Sequence, residues 1–150
     1  MCVIIDACVA IRVFVEKNDP DYGLILEKMR EKKLQMVYGG ELRREYLTLT
    51  KVTRMVRLLD QAGIAKLIPD KDVDAKNEQV QKQGLCKSND THVIALALVS
   101  RARLLCSADQ DLHVDFKNHF IISKPRGRIY QNASHTNLLK RKCTVCKKIG

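Results

Sequence analysis

Tryptophan is absent from this 150-residue chain, and aromatic residues make up 5% of it. Broad aromatic platforms on which successive bases stack are therefore not expected. No apolar run approaches the roughly 20 residues that cross a bilayer, so no membrane association is expected. No secretory signal is visible either, because Asp6 and Arg12 interrupt the apolar start. A Gly-rich phosphate loop is missing, and no Ser or Cys nucleophile has a paired His. Acid is missing from one whole stretch. Residues 124–150 carry eight of the 27 Lys and Arg residues and none of the 17 Asp and Glu. The body over residues 1–123 is nearly neutral, and the tail is basic. A basic segment of this kind attracts polyanions, nucleic acid above all.

The six cysteines do not read as a disulfide framework. Cys2, Cys8 and Cys106 lie in apolar runs, Cys86 lies in a loop, and Cys143 and Cys146 form one C-x-x-C in the tail. A structural zinc site takes four ligands, and only His135 is near that pair. A self-contained zinc ribbon is not expected, and a reduced, cytoplasmic setting is. The tail reads as a flexible arm in which Arg126, Arg128, Lys140, Arg141 and Lys142 are candidates for gripping RNA phosphates.

What is present is an alternation of apolar strands and helices. Cys2 to Ile5 is a continuous apolar run, as in a strand buried on both faces. Leu34–Tyr38, Ile64–Ile68, Arg103–Cys106 and His119–Ser123 read as four further strands. Pairs of helices fill the first three intervals and one short helix the last. One of them runs from about Glu41 into the fifties. Another, over Asp72–Gln83, is polar enough to be a solvated cover or a mobile flap. The helix over Val93–Val99 is apolar nearly all round and must be buried, with Ser88 as its N-cap. This pattern predicts a three-layer α/β/α domain over residues 1–123 with a central parallel sheet of about five strands.

Open sheets of this class keep their ligand crevice beyond the carboxyl ends of the strands. Asp6 follows the first strand. Asp90 opens the helix before the fourth, and Asp109 and Asp111 follow that strand. Glu45 lies beside the apolar face of the helix after the second strand, and Glu41 lies at its start. Asp6 serves equally well as a helix cap, and Glu41 is explained by the helix dipole. His92 and His113 read as ordinary surface or boundary residues, since His92 follows Asp90 by two and points away from it on a helix. Several carboxylates in one crevice repel each other unless a counter-charge is supplied. Hard oxygen ligands suit Mg²⁺ or Mn²⁺, and such a cluster suits phosphodiester hydrolysis.

Four stretches carry a resemblance to a known family: VIIDACV, VYGGELRREY, NDTHVIALAL and SADQDL, in that order. The chain resembles the PIN-domain nucleases, in particular the small toxin type called VapC-like. The resemblance implies that Asp6, Glu45, Asp90 and Asp109 are the four catalytic acids, with Glu41 the alternative to Glu45. It implies metal binding by Asp6, Asp90, Asp109 and Asp111, the last an accessory acid, with Ser107 a supporting hydroxyl. It further implies an Mg²⁺- or Mn²⁺-dependent ribonuclease, RNA as substrate, a homodimer, and an antitoxin protein as partner. The alternative is a catalytically weak module of the same fold that binds RNA or a protein.

Overall fold

A computed structural model of the chain describes residues 2–140. Its elements run in the order β1 (Cys2–Ile5), α1 (Ala7–Phe14), α2 (Gly23–Arg30), β2 (Gln35–Tyr38), α3 (Gly40–Leu47), α4 (Thr50–Gln61) and β3 (Ala65–Leu67). There follow α5 (Asp70–Gln83), α6 (Thr91–Ser100), β4 (Leu104–Cys106), α7 (Gln110–Lys117), β5 (Arg128–Tyr130) and a 3₁₀ helix over Ala133–Lys140. The five strands form one sheet in the order β3-β2-β1-β4-β5, every neighbour parallel. Helices flank it in the expected α/β/α arrangement. A sheet buried by helices on its faces calls for strands without polar alternation. β1 and β4 meet that demand, with every residue of both buried.

The strand order places the crevice. From β1 the chain moves outward through β2 to β3. It then returns across the sheet to β4, on the other side of β1, and on to β5. The carboxyl ends of β1 and β4 therefore flank the topological switch point, where the loops diverge and leave a cleft. The register pairs Ile5 with Cys106, so Asp6 and Ser107 emerge side by side.

The fifth strand is not where the apolar pattern puts it. Residues 119–123 form a turn, in which Asn118 gathers the amides of Phe120, Ile121 and Ile122 with its side chain and carbonyl. Those amides are used locally and cannot join a ladder. Phe120 is 78% exposed. The strand is instead Arg128–Tyr130, paired to β4, and the sheet thus continues past residue 123 into what reads as tail. Gly127 permits the approach, since a Cβ there would stand 2.1 Å from the Phe116 carbonyl oxygen. Tyr130 is fully buried and donates its hydroxyl to the Asp21 carbonyl at 2.5 Å.

Two helical expectations also change. The helix expected from about Glu41 into the fifties ends earlier, at Leu47, and α4, the second of the pair, starts at Thr50. Thr48 Oγ1 donates to the Glu45 carbonyl and Thr53 Oγ1 to the Tyr46 carbonyl, at 2.7 and 2.6 Å. Hydroxyls thereby take carbonyls that amides of a continuing helix would use. The polar helix α5 is docked, with Val73 and Val80 buried. Asp70, its first residue, accepts the Gly40 amide at 2.8 Å and both nitrogens of the Arg43 fork. Gly40 has φ +60°, and a Cβ there would meet Val73 at 2.7 Å. The start of α3 is thus locked against α5.

Candidate functional site

Asp6 occupies the N-cap position of α1, but its side chain makes no capping bond. The cap reading of this residue therefore fails. Its carboxylate turns to β4 instead: Oδ2 accepts the Ser107 hydroxyl at 2.7 Å and the Cys8 thiol at 3.2 Å. Asp6 is 4% exposed and Ser107 is fully buried. The Asp6 amide donates to the Cys106 carbonyl at 2.9 Å, continuing the β1–β4 ladder into the crevice. Burial raises the pKa of the Cys8 thiol, so the thiol is a proton donor to the carboxylate. Cys8, Cys86 and Cys106 are free thiols. Cys2 is buried, as expected of a small core residue.

The turn after β4 is propped from beneath. Ser107 Oγ accepts the Asp109 amide at 3.1 Å, and the Ser107 carbonyl lies 2.5 Å from His113 Nε2. A carbonyl only accepts, so that nitrogen carries the proton. His113 Nδ1 then accepts from the Gln131 amide at 3.0 Å. His113 is buried and braces the turn, rather than lying at the surface. Asp109 caps α7: Oδ1 accepts the amides of Asp111 and Leu112 at 2.9 and 3.2 Å, and Oδ2 accepts the Ser88 hydroxyl at 3.2 Å.

Asp90 is the N-cap residue of α6, so the helix begins at Thr91 and not after Ser88. Its side chain makes no capping bond. Ser88 Oγ accepts the Asp90 amide at 3.0 Å. The loop carrying both is pinned to α7 by Asp115, whose two oxygens accept the amides of Lys87 and Ser88 at 2.9 and 2.8 Å. Asp115 was not legible as a site support from sequence, because nothing in the chain pattern pairs α7 with that loop. Burial, and then the charges of Asp6 and Glu45 and a bond to Asp109, raise the pKa of Asp90. His92 acts against that rise.

Glu41 and Glu45 separate cleanly. Glu41 is exposed and pairs with Arg44 at 2.8 Å on the outer surface. Glu45 is one turn further in, its side chain 33% exposed, with Oε2 3.4 Å from His92 Nε2. Its neighbour Tyr46 is buried and donates its hydroxyl to the Ile5 carbonyl, immediately before Asp6. That bond ties α3 to the end of β1 and carries Glu45 toward the crevice.

His92 is the residue the sequence misplaces. The i, i+2 argument holds for two helical residues, but Asp90 is a cap with non-helical backbone, φ −87° and ψ 47°. Glu45, Asp90 and His92 each bring one ligand atom within 4.8 Å of the others. His92 is 7% exposed. Burial lowers its pKa, but the Glu45 carboxylate, then Asp90 and Asp6, outweigh burial and raise it overall.

The crevice thus gathers Asp6, Glu45, Asp90, Asp109 and Ser107, and adds His92. Glu41 faces away. Asp111 is exposed in the first turn of α7. Asp6, Asp109 and Asp111 are not part of the Glu45–Asp90–His92 group. Of the basic candidates, Arg126, Arg128 and Lys140 are exposed, with Arg128 in β5 and Lys140 ending the 3₁₀ helix. Arg141, Lys142, Cys143 and Cys146 lie outside the described residues. Among the described residues, no helix is long and apolar enough to cross a membrane.

Fold and site together define an α/β/α domain with an acid–histidine cluster at its topological switch point. No family model, curated protein or solved structure matches the chain.

Proposed function

We propose that this chain is a divalent-metal-dependent endoribonuclease of the PIN type, hydrolysing RNA phosphodiester bonds in the crevice beyond β1 and β4. One observation carries the reading: Glu45, Asp90 and His92 each bring one ligand atom within 4.8 Å of the others, and the charges of Asp6 and Glu45 bear on the Asp90 carboxyl. Such an arrangement fits a bound cation, which would offset the mutual repulsion. Asp6, Glu45 and Asp90 would hold it, and Mg²⁺ or Mn²⁺ suits carboxylate oxygens. When bound, a divalent ion lowers the pKa of water and offsets charge building on the phosphate. Ser107 and Cys8 fix the Asp6 carboxylate for that task. Asp109 orders the β4–α7 turn through its cap, and Asp111 is the accessory acid at its rim. The basic C-terminal stretch would draw RNA toward the crevice.

The toxin assignment, with a homodimer, an antitoxin partner and a cytoplasmic setting, belongs to the same proposal and is supported by the sequence resemblance. A second reading has one observation in its favour. Both oxygens of Asp109 are committed to protein donors, which suits a module that binds RNA or a protein and cuts poorly.

RNA cleavage by the purified chain with Mg²⁺ or Mn²⁺, against EDTA and Asp6→Asn controls, tests the proposal. Metal-dependent cutting lost in the variant is the expected result. Cutting that survives EDTA, or is unchanged in Asp6→Asn, rejects the assigned site. No cutting on a broad RNA panel favours the binding module.

A further inference from the structure

We propose that Glu45, Asp90 and His92 form a mixed nitrogen–oxygen site that takes a first-row transition-metal divalent ion, such as Mn²⁺, in preference to Mg²⁺. This rests on the cation-site part of the proposed function and not on RNA cleavage. Two independent observations carry it. The first is the geometry: one carboxylate from α3, one carboxylate from the cap of α6 and one imidazole from its first turn converge, with ligand atoms within 4.8 Å of one another. The second is the state of the imidazole. His92 Nε2 is a buried side-chain polar atom with no hydrogen-bond partner among the described residues. Glu45 Oε2 is 3.4 Å from it but off the line of a hydrogen bond. Buried polar atoms are nearly always satisfied, and an orphan needs a reason.

An ion in this position supplies that reason. It would accept the imidazole lone pair and neutralise two carboxylates at once. The donor set then decides which ion. Mg²⁺ demands near-octahedral oxygen and gives up water reluctantly. Imidazole nitrogen adds affinity for transition ions, which accept nitrogen and oxygen alike. A site built only of the carboxylates would not discriminate in this way. His92 is therefore a selectivity element, placed by the short step from the Asp90 cap into the helix.

The test is metal binding by the full chain, with Mn²⁺ and Mg²⁺ as the probes. Calorimetry should give Mn²⁺ an affinity at least about tenfold above that of Mg²⁺. Electron paramagnetic resonance of bound Mn²⁺ should show coupling to a directly bonded nitrogen. His92→Gln should abolish that coupling and weaken Mn²⁺ by about tenfold, while leaving Mg²⁺ within about twofold. Circular dichroism of His92→Gln and His92→Asn identifies a folded variant for the comparison. Equal affinities in the wild-type chain, no nitrogen coupling there, or coupling that persists without His92 would each overturn the inference. The two proposals part in their failures. Nitrogen-coupled Mn²⁺ without RNA cleavage leaves this site standing and removes the nuclease. Cleavage with no preference for Mn²⁺ leaves the nuclease and removes the role of His92.

Discussion

Ser107 donates its hydroxyl to Asp6 Oδ2 at 2.7 Å, joining residues 101 positions apart in the chain. The same oxygen of Ser107 accepts the Asp109 amide. One buried hydroxyl thus couples the end of β1 to the turn after β4. Ser107→Ala should leave the Asp6 carboxylate short of a buried donor and cost about 1–3 kcal/mol of stability. RNA cleavage should fall, but by less than in Asp6→Asn, because the carboxylate itself remains. Urea unfolding and cleavage rates on the same preparations check both halves.

Asp90 answers differently. Its raised pKa records a folded state that resists the charge. Asp90→Asn should abolish cleavage yet raise the melting temperature of the metal-free protein, because the uncharged side chain escapes the burial and repulsion that oppose the carboxylate. A melt at neutral pH with EDTA reads this directly. A lower melting temperature would mean that Asp90 is held by contacts rather than opposed by its neighbours.

The two glutamates of α3 should separate in activity. Glu45→Gln should cost cleavage at least about a hundredfold, the size expected when a group in the reacting centre is lost. Glu41→Gln should leave cleavage within about twofold. Its partner Arg44 is half-exposed, and pairs open to solvent contribute little. Parallel assays of the two variants settle which glutamate serves the site.

Acid stability has a specific contributor at Asp19. Burial works against its charge, but the Tyr22 amide, Arg12 and the Asp21 amide outweigh burial and hold its pKa below the ordinary value. The unfolded chain therefore takes the proton more readily than the folded one. The stabilisation is present above the ordinary aspartate pKa of about 4 and is lost as the pH falls through the lower folded value. Asp19→Asn should lower stability at neutral pH and flatten the acid limb. Urea midpoints across the range give the slope.

Truncation should show where the domain ends. Stopping at residue 123 removes Ile129 and Tyr130, both buried, and should cost roughly 3–6 kcal/mol. Stopping at residue 140 keeps β5 and removes ten residues, four of them Lys or Arg. That shorter cut should weaken RNA affinity and flatten its salt dependence. Salt titrations of RNA binding on the two truncations measure it.

The sequence by itself determined the class of the fold and most of the crevice. Apolar runs such as Cys2–Ile5 are legible because a strand covered on both faces has no polar positions to confuse the pattern. Asp6, Asp90 and Ser107 are legible because each follows an apolar run or opens a helix, and strand ends and helix starts share one edge of a parallel sheet. Tertiary structure alone decided the rest. β5 has only Ile129 and Tyr130 to mark it and is selected by pairing with β4 and by the tight approach at Gly127. His92 enters the site because Asp90 leaves helical geometry at its cap, which moves the next side chains off the spacing a helix would impose. Asp115 and His113 became supports only when α7 was packed beneath the loop and the turn they hold. Local periodicity reports which faces are apolar. It carries no record of which polar groups meet across the fold, since those contacts join segments far apart in the chain.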